Sequence, residues 1–102
     1  MIMNEEKTNL LKLVFDREND IFFWQYKACE QLDFSDEKLF KMLNELAMYA
    51  FIKFDSYKSE MKYVDNLCMT LNGLDYLHEQ GLISDFEYKL HVEYLLRGQH
   101  EV

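Results

Sequence analysis

Residues 51–81 limit the fold of this chain more than any other stretch. Two short apolar runs, residues 51–54 and 61–64, flank a polar tip and alternate as the strands of a hairpin do. Thr70 then suits the cap of a helix, and Gly81 suits the left-handed position just beyond the end of that helix. The pattern predicts a β-hairpin followed by a capped helix, and therefore a chain of the α+β class.

Three helices are predicted before the hairpin from the spacing of apolar residues. They should run over residues 4–18, 21–32 and 35–49. Asp20 and Ser35 are the expected caps of the second and third helices, because a short polar side chain there can accept a hydrogen bond from a free backbone amide. Helix 35–49 keeps one apolar face for the core and turns a charged face outward.

The size and composition of the chain favour a single folded domain spanning residues 1–102. Hydrophobic residues make up 49% of it, enough for one core, and it contains no proline and only three glycines. The longest apolar run, residues 46–52, is too short to cross a bilayer, and the acidic N-terminus lacks the basic region of a signal peptide. We therefore expect a soluble cytoplasmic protein without a membrane partner.

Neither the cysteines nor the histidines form a recognisable chemical site. Cys29 and Cys68 lie in apolar surroundings and are expected to be reduced core residues, and His78, His91 and His100 have none of the spacings of zinc ligands. The sequence also brings together no nucleophile, base and orienting group of the kind an enzyme needs. We expect no cofactor, no metal, no small-molecule substrate and no enzymatic activity.

Two stretches, residues 45–52 and 69–77, together with the helix after Gly81, resemble a known family. The order of elements around them is similar to that of the YjcQ-like winged helix-turn-helix proteins, small proteins of bacteria and phages. This resemblance covers most of the chain and implies a winged-helix fold with a wing over about residues 51–65, but no active site. The family's usual glycine after the third helix is replaced here by Tyr49-Ala50, which leaves the exit angle of that helix open.

A winged-helix fold suggests a DNA-binding regulator, with helix 35–49 in the major groove and the wing on the backbone. The candidate contacts are Lys38, Lys41, Asn44, Lys53, Lys58 and Lys62. The same helix and wing also carry five carboxylates, those of Asp36, Glu37, Glu45, Asp55 and Glu60. Because binding a duplex depends on neutralising phosphates, this balance and the net charge of −8 weaken the DNA hypothesis.

The acidic charge favours a protein partner modestly over DNA. Aromatic residues are enriched at interface hot spots, and the candidate anchors here are Trp24, Tyr57, Tyr63, Tyr88 and Tyr94. Each of them could instead belong to the core. By charge and analogy, a compact acidic protein encoded by a phage or mobile element could also occupy a basic groove on a host protein.

The last helix, residues 84–97, has an apolar face that is broad for a terminal helix. Ser84 and Glu87 fit a capping box at its start. One line of large apolar side chains follows at a spacing of four residues: Phe86, Leu90 and Tyr94. Two interpretations stay open, a homodimer through this helix and closure of the monomer core against helix 4–18.

Overall fold

The computed structural model describes residues 3–56 and 64–100 and confirms the α+β class. Its elements in chain order are α1 (Glu5–Asp16), α2 (Ile21–Tyr26), α3 (Ala28–Leu32), α4 (Asp36–Met48), β1 (Ile52–Ser56), β2 (Val64–Met69), α5 (Leu71–Glu79) and α6 (Asp85–His100). Four of the predicted site residues, Tyr57, Lys58, Lys62 and Tyr63, lie outside the described residues.

Capping side chains set the starts of the helices where the sequence predicts them. Asp20, Ser35 and Thr70 each accept a hydrogen bond from the amide three residues later. At the start of α6 the bonds are reciprocal: Glu87 N donates to Ser84 Oγ and Ser84 N donates to Glu87 Oε1, both at 3.0 Å. This confirms the predicted capping box.

The predicted helix over residues 21–32 is wrong in one respect, because Lys27 divides it into α2 and α3. Lys27 has a φ of −122°, far from the helical value, and is the C-cap of α2 and the N-cap of α3. The α2 segment Ile-Phe-Phe-Trp-Gln-Tyr consists mostly of β-branched and aromatic residues, which have low helix propensity, so an interruption costs little here. Four helices therefore precede the hairpin where the sequence predicts three.

The second strand is predicted over residues 61–64, of which 61–63 lie outside the described residues, and the described strand Val64–Met69 extends beyond the prediction to Met69. The register pairs Lys53 with Cys68 but Asp55 with Asp65, so β2 has one more residue than β1 between these pairs. Asn66 takes up this extra residue as a bulge with a φ of 54°. Because a bulge interrupts the alternation of side chains, residues 65–69 lack the pattern by which strands are recognised.

The core lies between α1, α2, α4, α5 and the hairpin. Its fully buried side chains are Leu10, Leu11, Leu43, Leu46, Ile52, Leu67, Met69, Leu74, Leu77 and Val14. Among the side chains that the structure describes, α6 contributes none to this buried set. Cys29 and Cys68 are free and only half-buried, so they lie at the margin of the core and not inside it as expected. Desolvation raises the pKa of the Cys29 thiol to about 11.

The turn after α4 joins the two stretches on which the family resemblance rests. Ala50 has a φ of 61°, and the amides of Ala50 and Phe51 donate to the carbonyls of Ala47 and Leu46, which closes the helix in a Schellman motif. A Cβ at Gly73 would lie 2.1 Å from the carbonyl oxygen of Phe51. The absence of a side chain at Gly73 therefore lets α5 touch the turn.

Candidate interaction surfaces

The lysine at position 38, a candidate DNA contact, forms a surface ion pair that joins α4 to α1. Lys38 Nζ lies 2.8 Å from Glu6 Oε2 and 4.3 Å from the centre of the Phe34 ring. A second ion pair joins α1 and α4, with Lys7 Nζ 2.8 Å from Glu45 Oε2. The ammonium group of Lys7 lowers the pKa of the Glu45 carboxyl. These pairs connect α4 to α1 across their exposed edges.

Lys41 and Asn44 lie on the outward face of α4, as predicted. They share that exposed face with Glu37 and Met48, so the surface carries one cation and one anion among these four residues. Asn44 Nδ2 donates to the carbonyl of Phe40 at 2.9 Å, which holds the amide against its own helix. This face offers little net positive charge to a phosphate backbone.

Lys53 lies on the α6 side of the hairpin. Successive strand residues point to opposite faces, and the neighbouring Phe54 ring contacts Phe40 of α4 at a centroid distance of 6.1 Å. Lys53 instead lines a groove of about 680 Å³ together with Cys68, the start of α5 and three residues of α6, Tyr94, Leu95 and Arg97. The structure therefore places Lys53 beside the candidate protein anchor Tyr94 rather than with Lys41.

Trp24 is buried, which places it in the core and not on an exposed interface. Its side chain is 5% exposed, and its Nε1 donates to the carbonyl of Arg17 at 2.8 Å. The ring also packs edge-on against Phe23. Of the two roles that the sequence allows for Trp24, the structure shows the one in the core, because the indole fills the space under α2.

Tyr88 attaches α6 to α5 through its ring and its hydroxyl. The ring stacks on His78 at a centroid distance of 4.4 Å, and the hydroxyl donates to Asp75 Oδ1. This hydrogen bond raises the pKa of the Tyr88 phenol. His78 Nε2 also lies 2.6 Å from Asp85 Oδ1 and lowers the pKa of that carboxyl. Tyr88 is therefore largely engaged within the chain.

A second attachment of α6, which the sequence did not predict, centres on Glu18. Its Oε2 accepts a hydrogen bond from the amide of Met69 at 2.7 Å, and its Oε1 lies against Nε2 of His91. The His91 ring packs on Phe15 at a centroid distance of 4.9 Å. Glu18 thus links the end of α1 to β2 and to the middle of α6. No periodicity in the sequence connects two residues so far apart.

The outward face of α6 carries a row of exposed apolar side chains, which we call the α6 stripe: Phe86, Leu90 and Tyr94. They are 73%, 57% and 65% exposed. The inner face of the helix, formed by Tyr88, Val92 and Leu95, packs against the core. Large side chains in a continuous row on one helix face mark an interaction surface more often than isolated ones do. The stripe includes Tyr94 and leaves out the other predicted anchors.

Other exposed apolar side chains are present on α2 and α4. Ile21, Phe22 and Tyr26 are exposed on α2, where the Phe22 and Tyr26 rings lie 5.2 Å apart, and Met48 is 82% exposed on α4. The α2 patch belongs to a helix of six residues, whereas the stripe extends along about two turns of a helix of sixteen. The α6 stripe is therefore the longer continuous surface.

Within residues 3–56 and 64–100, no group of three or more histidine, cysteine or acidic side chains is arranged to hold a metal ion. Over the same residues, no helix combines the length and the apolar character needed to cross a membrane. Comparisons with protein-family models, with curated proteins and with solved structures found no match to this chain. The resemblance to YjcQ-like proteins stays a prediction.

Proposed function

We propose that this protein is a non-enzymatic winged-helix module that binds another protein through α6. The observation that carries this proposal is the α6 stripe, since a monomeric domain has no internal use for three large apolar side chains on its outer surface. The acidic net charge of −8 supports a protein partner over a nucleic acid.

Three contacts support the winged-helix part of the proposal. The chain leaves α4 through a tight turn directly into the hairpin, as a recognition helix leads into a wing. The amide of Asn19 donates to the carbonyl of Leu67 at 3.0 Å, so the segment between α1 and α2 adds a bond to β2 as a third strand would. Gly73 then brings α5 against the turn at Phe51.

DNA binding is the alternative, and the exposure of Lys41 and Asn44 on α4 is the observation in its favour. The ion pairs of Lys38 with Glu6 and of Lys7 with Glu45 argue against DNA binding, because two cations near this surface are already neutralised. If DNA is the ligand, Lys41→Glu should abolish retention of duplex at low salt. Unchanged retention would exclude α4 as the contact.

Affinity capture from the source cell, done in parallel with variants, tests the proposed function. The bait proteins are the wild type, Leu90→Asp in the α6 stripe, and Met48→Asp as a control on an exposed apolar residue of α4. We expect proteins that the wild type and the control retain and that Leu90→Asp loses. Retention of DNA of a defined sequence, with no protein lost by the Leu90 variant, would reverse the proposal.

A further inference from the structure

We propose that the partner covering the α6 stripe is a second copy of this chain, with the two α6 helices packed antiparallel across a twofold axis near Leu90. This inference rests on the proposed function, because it names the protein that the stripe binds. It gives the stripe a complementary surface that is present wherever the chain is present.

The spacing of the stripe is symmetric about its centre. Phe86 precedes Leu90 by four residues and Tyr94 follows it by four, so all three lie on nearly one line of the helix. In an antiparallel pair related by a twofold axis at Leu90, each Phe86 faces Tyr94 of the other copy. The two Leu90 side chains then meet at the axis. Two aromatic pairs thus enclose an aliphatic centre.

Charges along one edge of the stripe fit the same arrangement. Lys89, Glu93 and Arg97 follow one another at intervals of four residues. A twofold axis perpendicular to the helices sets each edge against the same edge of the other copy. Lys89 therefore lies within reach of Glu93 of the second copy, and the contact occurs twice. On the opposite edge, Glu87 can accept a hydrogen bond from the hydroxyl of Tyr94 of the second copy.

The direction of packing follows from the charges at the two ends of the helix. The first turn of α6 contains Asp85 and Glu87, and its later part contains Arg97. Parallel helices would place the acidic first turns side by side, and like charges repel. Antiparallel helices set each acidic first turn near Arg97 of the other copy, and they also oppose the two helix dipoles favourably.

The size of the surface indicates a weak, reversible dimer. A helix of sixteen residues is about 24 Å long. One such helix from each copy gives an interface at the small end of the range for specific complexes, below about 1,200 Å² in total. We therefore expect a dissociation constant in the micromolar range and a monomer at high dilution.

Sedimentation equilibrium over a concentration series tests the dimer with four proteins. The wild type should sediment as a monomer–dimer equilibrium, Leu90→Asp as a monomer, and Met48→Asp as the wild type does. Lys89→Glu should weaken the dimer by about tenfold through contact with Glu93 of the second copy. The double variant Lys89→Glu/Glu93→Lys, which has the net charge of the wild type, should restore it.

Cross-linking with copper phenanthroline, in a Cys29→Ser/Cys68→Ser background, tests the packing direction. Leu90→Cys near the axis should form a disulfide with its own copy. Phe86→Cys should not, but it should cross-link when mixed with Tyr94→Cys. Self-cross-linking of Phe86→Cys would contradict the antiparallel arrangement.

The outcomes separate this inference from the proposed function. A monomer at every concentration, with no cross-link through Leu90→Cys, overturns the dimer. If Leu90→Asp then still loses a captured protein of a different kind, the stripe binds protein and the proposed function stands. If that variant loses nothing, both proposals fail. Far-ultraviolet circular dichroism checks that each variant is folded, which we expect because residue 90 is more than half exposed.

Discussion

Helix α4 buries a row of four large apolar side chains, Leu39, Met42, Leu43 and Leu46, and exposes Met48, whereas α6 leaves three large ones in a row on its outer face. Leu43 and Leu46 of α4 have no exposed surface. Ion pairs from Lys7 and Lys38 bind the exposed edges of α4 to α1. The inner face of α6 is only half-buried, and besides the packing of Val92 and Leu95 its attachments are a few polar and aromatic contacts of Tyr88 to α5 and of His91 to Phe15 and Glu18.

Under the proposed function, the two helices divide stability and recognition between them. In a DNA-binding winged helix, the helix in the position of α4 would carry the recognition surface. Here two of the charges near that surface are paired with carboxylates of the same chain, while the apolar surface that is not needed for the core lies on the terminal helix. Substitutions in α4 should therefore act on folding, and substitutions in α6 on association.

The largest contrast is expected between two leucine truncations. Leu46→Ala, in the fully buried face of α4, should lower the free energy of unfolding by about 3 kcal/mol. Leu90→Ala, at a position 57% exposed on α6, should change it by less than about 0.5 kcal/mol. Urea unfolding of dilute protein, followed by the fluorescence of the single buried tryptophan, measures both. Equal losses would show that α6 is as much a part of the core as α4.

A substitution at Gly73 tests how rigid the turn after α4 is, because Gly73 contacts this turn at Phe51. Gly73→Ala places a methyl group against the carbonyl of Phe51 at a distance that requires the backbone to move. We expect a loss of about 2 kcal/mol in the free energy of unfolding, in the range of overpacked cores. Asn72→Ala, next to it on the exposed side of α5, is the matched control and should unfold close to the wild type. Stability equal to the wild type in both would mean that the turn moves freely.

The left-handed residue that follows each helix is an alanine after α4 and a glycine after α5. Exchanging these residue types should change the stability of the protein in opposite directions, by less than Gly73→Ala does. Ala50 and Gly81 both have left-handed backbone conformations, with φ values of 61° and 72°. A left-handed conformation costs a residue with a Cβ about 1 kcal/mol or more. Ala50→Gly should therefore stabilise the protein by about 1 kcal/mol, and Gly81→Ala should destabilise it by a similar amount. Thermal unfolding of the two variants measures the difference, and shifts of the same sign would contradict this explanation.

The sequence predicts contacts between residues that are close together in the chain, but not contacts between distant ones. The caps Ser35, Thr70 and Ser84 depend on neighbours within three residues, so their roles follow from a short pattern. The bulge at Asn66 hides the second strand because it breaks the alternation. The contact of Glu18 with His91 depends on how separate helices meet. The line of the α6 stripe was predicted, but its exposure needed the packing of the opposite face.

The smallest effects should come from two paired carboxylates, Glu45 of α4 beside Lys7 and Asp85 of α6 beside His78. Lys7 lowers the pKa of Glu45 on α4, and His78 lowers the pKa of Asp85 on α6. A carboxyl whose pKa is lower in the folded state stabilises the fold above its unfolded pKa, about 4.3 for Glu and 3.9 for Asp. This stabilisation is lost as the pH falls through the folded pKa.

Glu45→Gln and Asp85→Asn should therefore be less stable than the wild type at neutral pH, and the deficits should vanish at acid pH, where the wild-type carboxyls are protonated. The Glu45 variant should have the larger deficit, because its side chain is 28% exposed and that of Asp85 is 85% exposed. Urea unfolding over a pH series, with carbon-13 titration of the carboxyls, measures both. A larger deficit for Asp85→Asn would mean that the polar contacts of α6 hold it more firmly than the ion pairs hold α4.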